Sequence, residues 1–202
     1  MFQSQMLIDG QDLPLEEGSG RRAVIYNPAN QEAVAEVAVG RRQDARLALQ
    51  AAERAFPLWS AESSQKKGEI LHEAAARVRD SSERIARLLT LEQGKPLKFA
   101  RTEVLSSADV LDYYAEEGKR NYGEWITGPR SRSIVLRQPI GVAALITPWN
   151  YPVDLLAWKV APCLAAGCTF VAKPPSLAPL AATEFVRTVC SADLPAGAAN
   201  VV

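Results

Sequence analysis

Two short segments carry residue types that could do chemistry. The first is ITPWNYP at 146–152, where Asn150 lies between Trp149 and a proline-bounded turn. A carboxamide held there could aim an N–H donor at negative charge developing on a reacting oxygen. The same asparagine could instead bond its own backbone, as turn asparagines often do. The second segment is KPPS at 173–176. Lys173 offers a charged donor and Ser176 a hydroxyl, a pair suited to a ribose or phosphate group. The plainer alternative is a surface lysine beside a rigid turn.

The elements around these segments read as alternating strands and helices. GVAALIT at 141–147 is continuously apolar, the pattern of a buried parallel strand. A helical pattern follows over 153–166 and stops at Gly167; TFVA at 169–172 is a second short apolar strand. Residues 178–192 form a second helix, and 199–202 begin a third strand. This order predicts the opening of a doubly wound, Rossmann-like α/β sheet. Both segments then sit at consecutive C-terminal strand ends, where open parallel sheets bind their ligands. A parallel sheet stopping at its third strand leaves an open edge, so further sequence is expected after residue 202.

Upstream, residues 44–122 read as a helical layer. Leu47, Ala48, Ala51, Ala52 and Ala55 recur at helical spacing over 44–56, and Pro57 closes that run. Ile70, Leu71, Ala74, Ala75 and Val78 mark a second helix. Asp80 and Glu83 resemble an N-terminal capping pair for a third, whose stripe is Ile85, Leu88 and Leu89 and whose stop is Gly94 with Pro96. Val104, Ala108, Leu111 and Ala115 define a fourth. The charges on this layer read as a solvated face. Before it lie short extended pieces around Gly10, residues 18–20 and Asn27-Pro28, with a strand near Val34, Val37 and Val39. After it, residues 134–138 alternate apolar and polar, as a strand exposed on one side does.

Composition narrows the classes. Twenty-three basic residues balance twenty-three acidic ones, so net charge gives no reason to expect nucleic acid or an anionic membrane as partner. Apolar stretches are interrupted well short of a membrane span, and residues 1–10 lack the basic region and apolar core of a signal peptide. Cys163, Cys168 and Cys190 lack metal-ligand spacing, and His72 is the single histidine, so no metal site is expected. All three cysteines read as small buried apolar residues, His72 reads as a helix-surface residue, and the natural compartment is a reducing cytoplasm.

The pairing of PWNYP with KPPSLAP resembles the aldehyde dehydrogenase superfamily, which carries PWN[FY]P and KP[AS][ES]xxP in this order. The resemblance extends along the chain: IDG at 8–10, NPA at 27–29, AFPLWS at 55–60, LEQGKPL at 91–97, AEEGKR at 115–120 and QPIGV at 138–142 all fit. Gln93, the AEEGKR run and Ser176 lean towards members that oxidise succinate semialdehyde. The resemblance implies that Asn150 stabilises the oxyanion of a thiohemiacetal. It places Ile146, Thr147, Pro148, Trp149 and Asn150 itself around a nicotinamide dinucleotide, and gives Lys173, with Pro174, Pro175 and Ser176, the adenosine ribose. Ser176 falls where NAD-selective members often carry Glu; a neutral serine does not repel a 2′-phosphate, so NADP is expected to be tolerated or preferred over NAD. The stretch 133–138 resembles part of the family's oligomerisation sheet, which implies a homo-oligomer.

The resemblance also divides the chain. Residues 1–128 would hold the extended segments and helical layer, 129–140 the oligomerisation strand and 141–202 a partial dinucleotide-binding βαβα unit, without the catalytic domain. The nucleophilic cysteine of the family lies in a G-Q-x-C context and the general-base glutamate in E-x-G-G, and neither occurs here. Nor does the F-T-G-S turn that meets the pyrophosphate. The chain alone is therefore expected to be inactive: part of an enzyme acting on a small aldehyde, with a second polypeptide able to supply the C-terminal half. The alternative is a non-catalytic oligomerisation or interaction module.

Overall fold

The computed structural model describes residues 2–13 and 21–202, so the turn expected at 18–20 lies outside the described residues. Five short strands come first: β1 (Phe2–Ser4), β2 (Met6–Ile8), β3 (Gln11–Leu13), β4 (Arg22–Tyr26) and β5 (Ala33–Ala38). Four helices follow: α1 (Arg42–Ala61), α2 (Ser64–Asp80), α3 (Ser82–Gln93) and α4 (Leu97–Glu117). A hairpin of β6 (Glu124–Thr127) and β7 (Arg132–Val135) leads into β8 (Val142–Ile146), α5 (Asp154–Ala165), β9 (Thr169–Lys173), α6 (Leu180–Cys190) and β10 (Ala199–Val201).

The expected parallel unit is present: β8, β9 and β10 lie side by side in sequence order, with α5 and α6 as crossovers. The open edge expected beside β10 is closed. β2 pairs antiparallel with β10, Val201 opposite Leu7, and β3 extends the sheet. The β2–β3 turn is Asp9-Gly10, both at positive φ, the arrangement that two-residue hairpin loops require. Asn200, fully buried in β10, ties this turn down: its Oδ1 accepts the Asp9 N–H at 3.0 Å, and its amide donates to Phe170 and Gly197.

The sheet ends at β3 on one side and at β8, the outer parallel strand, on the other. Of the five residues of β8 only Leu145 is buried, so the continuous apolar run does not mark a strand covered on both faces here. An edge strand has a partner on one side only, and Ala144 and Ile146 face outward. The hairpin strand is β7 at Arg132–Val135 rather than 134–138, and β6, unforeseen, pairs with it. Both strands are exposed along their whole length, not on one face.

The main core lies between the sheet and the helical layer, joining α5 and α6 to α2, α3 and α4. Alanines at 74, 75, 86, 100, 108, 157, 161, 181 and 182 are buried there, and such small side chains let the helices approach closely. On the opposite face of the sheet α1 packs Ala48 and Ala51 against Met6 and Ile8.

Pro57 does not end α1, which runs four residues further. A proline here removes the N–H that would have reached the Glu53 carbonyl, but Glu53 and Pro57 are both exposed, so water can serve that carbonyl. The continuation places Trp59 fully inside the core, its indole N–H donating to the Leu164 carbonyl at 3.1 Å. Lys67 closes the helix by donating to the Ser60 and Glu62 carbonyls. The capping pair expected at the start of α3 is also absent: Ser81 precedes the helix without a side-chain bond, and Glu83 pairs with Arg87 and Arg101. Gly94 does end α3, at φ 78°, a left-handed conformation that favours glycine.

Truncating Trp59 removes the largest buried side chain and one of the donors to the Leu164 carbonyl, which keeps the Gly167 N–H. Trp59→Ala is expected to cost about 3–5 kcal/mol in urea unfolding, as large aromatic deletions in cores do. A loss below about 1 kcal/mol would show that α1 and α5 do not depend on this contact.

Candidate functional site

The parallel register sets Ile146 directly beside Lys173, so residues 147–152 and 174–179 emerge next to each other from neighbouring strand ends. Asn150 does not bond its own turn. Its side chain is exposed and makes no hydrogen bond among the described residues, whereas its backbone carbonyl accepts two. The carboxamide is thus left available while the main chain beneath it is fixed. Thr147, at the strand end, is buried, and its hydroxyl has no partner among the described residues.

The groups that fix this turn come from the helical layer. Gln93, the last residue of α3, donates its amide to the Trp149 carbonyl at 2.7 Å and the Asn150 carbonyl at 2.9 Å. Beyond the left-handed Gly94, Lys95 donates to the Asn150 carbonyl at 3.1 Å and lies 3.8 Å from the centre of the Tyr151 ring. It also pairs with Glu103 on α4. Glu103 in turn accepts the N–H groups of Val153 and Asp154, at 3.0 and 3.3 Å, where α5 begins.

The second segment is anchored in the same manner. Glu92 accepts the N–H groups of Leu180 and Ala181 at 2.6 and 2.8 Å, the first two residues of α6. Each buried carboxylate meets the unsatisfied donors and the positive end of a helix. Reading every charge of the helical layer as a solvated face therefore fails: Asp44, Lys67, Glu92 and Glu103 are buried. A signal for two of them existed. Glu92 is three residues past Leu89 and Glu103 three past Ala100, so each falls on the apolar stripe of its own helix.

Lys173 and Ser176 are exposed, Pro174 and Pro175 buried. The Lys173 ammonium donates to the Pro174 carbonyl at 3.0 Å and the Ser176 hydroxyl at 3.2 Å. These residues line a cleft of 360 Å³ whose other walls include Gly40, Arg41, Arg42 and Val202. The turn at 147–152 is not among its walls, so the two segments flank one sheet edge without sharing this cleft. A larger cavity, 890 Å³, lies elsewhere, between α3, α6 and the first strands, and contains none of the candidate residues.

Cysteine and histidine chemistry is quiet. Burial pushes the thiols of Cys163 and Cys190 up to about 12, with Cys168 adding to the effect on Cys163, so both stay protonated at neutral pH. Cys168 is buried, whereas Cys163 and Cys190 are half-buried. His72 does more than decorate a helix surface: it bridges α2 to α4 through Glu116 at 2.7 Å and Asp112 at 2.6 Å, and these bonds raise its pKa.

Glu92 is where the site titrates. Burial drives its carboxyl up to about 8, against the pull of the two α6 N–H groups, with the Glu103 charge adding to the rise. A folded pKa above the unfolded value of 4.5 means that this group's contribution is fully present below about pH 4.5 and is lost as pH rises through about 8. Glu92→Gln, which cannot ionise, is expected to flatten the fall in urea midpoint across that window. An unchanged slope in the variant would remove Glu92 as its source.

The comparisons with known proteins agree with this geometry. A model of the aldehyde dehydrogenase family matches residues 15–202. The NADP-dependent succinate-semialdehyde dehydrogenase GabD of Escherichia coli K12 is 41% identical over the whole of this chain, which covers 42% of that protein. Among solved structures, an NADP-dependent enzyme of E. coli superposes with a TM-score of 0.94 at 41% identity, over all of this chain and 42% of its own. A betaine aldehyde dehydrogenase of Staphylococcus aureus in complex with NAD+ does so with a TM-score of 0.91 at 33% identity, again over all of this chain and 42% of its own. The chain thus spans about two fifths of the length of the relatives it matches. With the strand-end segments in register and the family's pattern running through nearly every described element, the chain belongs to the aldehyde dehydrogenase family.

Proposed function

We propose that this chain forms the N-terminal, cofactor-binding part of an NAD(P)-dependent dehydrogenase that oxidises a small aldehyde, a semialdehyde by the relatives it resembles, to the carboxylic acid. The observation that carries the reading is Asn150: a carboxamide free of partners among the described residues, on a turn whose main chain is fixed, at the C-terminal end of a parallel strand. Such a donor stabilises the oxyanion formed when a thiolate adds to an aldehyde carbonyl. Cys163 and Cys190 are unsuited to be that nucleophile because burial holds them as thiols. The nucleophile and the general base are assigned to residues outside these 202, in the same polypeptide or in one that completes it, so the chain alone is proposed to be inactive.

The residues present fit a dinucleotide. Thr147 offers a buried hydroxyl with no partner among the described residues, next to Ile146, Pro148 and Trp149. Lys173 and Ser176 form a polar pair above Pro174 and Pro175, suited to the adenosine ribose. When bound, NAD(P)+ supplies the hydride acceptor. Among the described residues the cleft beside Ser176 has Arg41, Arg42 and Lys173 in its walls and no carboxylate side chain, which supports acceptance of a 2′-phosphate and so of NADP. We assign self-association to the exposed β6–β7 hairpin, whose Trp125, Ile126 and Ile134 present apolar surface to solvent. No helix among the described residues is long and apolar enough to cross a membrane. A cytoplasmic location is part of the same reading.

In the full-length enzyme carrying this segment, NADP is expected to bind at least as tightly as NAD. Ser176→Glu places a carboxylate against the 2′-phosphate and is expected to weaken NADP relative to NAD by about tenfold or more, a repulsion of about 1.4 kcal/mol. Dissociation constants from cofactor fluorescence decide it. A strong NAD preference in the parent, or no change in the variant, would sink the assignment of Ser176.

A further inference from the structure

Lys95 lies outside both strand-end segments, yet it touches the residue on which the proposed chemistry depends. Its ammonium donates to the Asn150 carbonyl at 3.1 Å, pairs with the fully buried Glu103 carboxylate and stacks 3.8 Å from the Tyr151 ring. Gln93 shares the same carbonyl at 2.9 Å and holds the preceding one at 2.7 Å. Glu103 completes the frame by taking the N–H groups of Val153 and Asp154 on the far side of the turn. The main chain on either side of Asn150 is therefore bound by three side chains, while the Asn150 carboxamide itself is bound by none among the described residues.

We infer that Lys95, charge-matched by Glu103 and assisted by Gln93, is a positioning residue that sets the direction of the Asn150 amide. The inference rests on the reading of Asn150 as the oxyanion donor. The physical reason lies in tolerance: an oxyanion donor works when it is already aimed, and about 1 Å of misplacement can cost on the order of a hundredfold in rate. A surface turn does not hold an asparagine to that tolerance, because its own torsions are soft. A cation bonded to the Asn150 carbonyl fixes the peptide plane from which the side chain departs. Glu103 keeps the Lys95 ammonium in place and compensates its charge away from water.

The test is a double-mutant cycle in the full-length enzyme, with kcat, the KM for aldehyde and the dissociation constant for NADP measured separately. Asn150→Ala is expected to lower kcat on the order of 10²–10³-fold, the usual cost of losing one oxyanion donor. Lys95→Met is expected to lower kcat on the order of ten- to a hundredfold, with NADP affinity changed less than about twofold; Lys95→Arg, which keeps a cationic donor, should recover most of the loss. Because Lys95 acts through Asn150, the double variant should be no slower than Asn150→Ala alone within about twofold. Gln93→Leu, which removes the neutral donor to the same carbonyl, provides a second arm should Lys95→Met fail to fold. If Asn150→Ala keeps its kcat, the reading of Asn150 falls and the inference with it. If Asn150→Ala collapses but Lys95→Met is neutral, or the two losses multiply, Asn150 stands and Lys95 is not its positioning residue. NADP affinity falling in parallel with kcat in Lys95→Met would also overturn it, as general damage to the turn.

Discussion

Two carboxylates, Glu92 and Glu103, sit where water does not reach and hold the first turns of two helices. Glu92 binds the start of α6 and Glu103 the start of α5, each through two backbone N–H groups. Burying a carboxylate is costly unless hydrogen bonds and opposite charge compensate it. The helix ends supply donors and the macrodipole, and Lys95 adds a full charge beside Glu103; at Glu92 burial outweighs the two donors and holds the carboxyl up at about 8. The arrangement is reciprocal, since the helix starts need an acceptor as much as the carboxylates need donors. The positions of α5 and α6, and of the segments leading into them, are consequently tied to the helical layer rather than to the sheet alone.

That coupling gives the helical layer a share in the site. α3 and α4 provide no residue from the two strand-end segments. They and the link between them provide Gln93, Lys95 and Glu103, which bind the turn of Asn150 from behind, and Glu92, which fixes the helix after Lys173 and Ser176. The same layer is joined within itself by His72, whose ring bridges α2 to Glu116 and Asp112 of α4. Alanines between these helices keep them close, and Trp59 links α1 to the end of α5 through a buried hydrogen bond. Strand ends, helix starts and helical layer share one contiguous core, so displacement of one element would be felt at the others.

The sheet edge follows a different logic. The N-terminal hairpin folds back so that β2 covers β10, and this protects the strand that appeared from its neighbours to be open. β8 is left with one partner, and with Ile146, Trp149 and Tyr151 it presents apolar and aromatic surface close to the candidate site. Fully exposed strands in the β6–β7 hairpin add a second apolar face. Both are surfaces of a kind that other protein elements cover.

Much of the architecture was legible in the residues alone. Local rules sufficed for α2 and α4, for the stop at Gly94, and for the order of β8, α5, β9, α6 and β10, because helical spacing, apolar runs and glycine conformations are written in adjacent positions. The placement of Asn150 and Lys173 at neighbouring strand ends followed from that order, and the register of Ile146 with Lys173 bears it out. What the sequence could not decide was which partner each group meets across space. Pro57 reads as a stop, yet α1 continues because its freed carbonyl faces water and Trp59 docks beyond it. Asp80 and Glu83 read as a cap, yet Glu83 turns to Arg87 and Arg101. Glu92 and Glu103 read as surface charges although each lay on an apolar stripe, because their partners are about ninety and fifty residues away in the chain. Spacing specifies which face of a helix is apolar; only the tertiary packing decides that a carboxylate on that face meets the bare N–H groups of another helix.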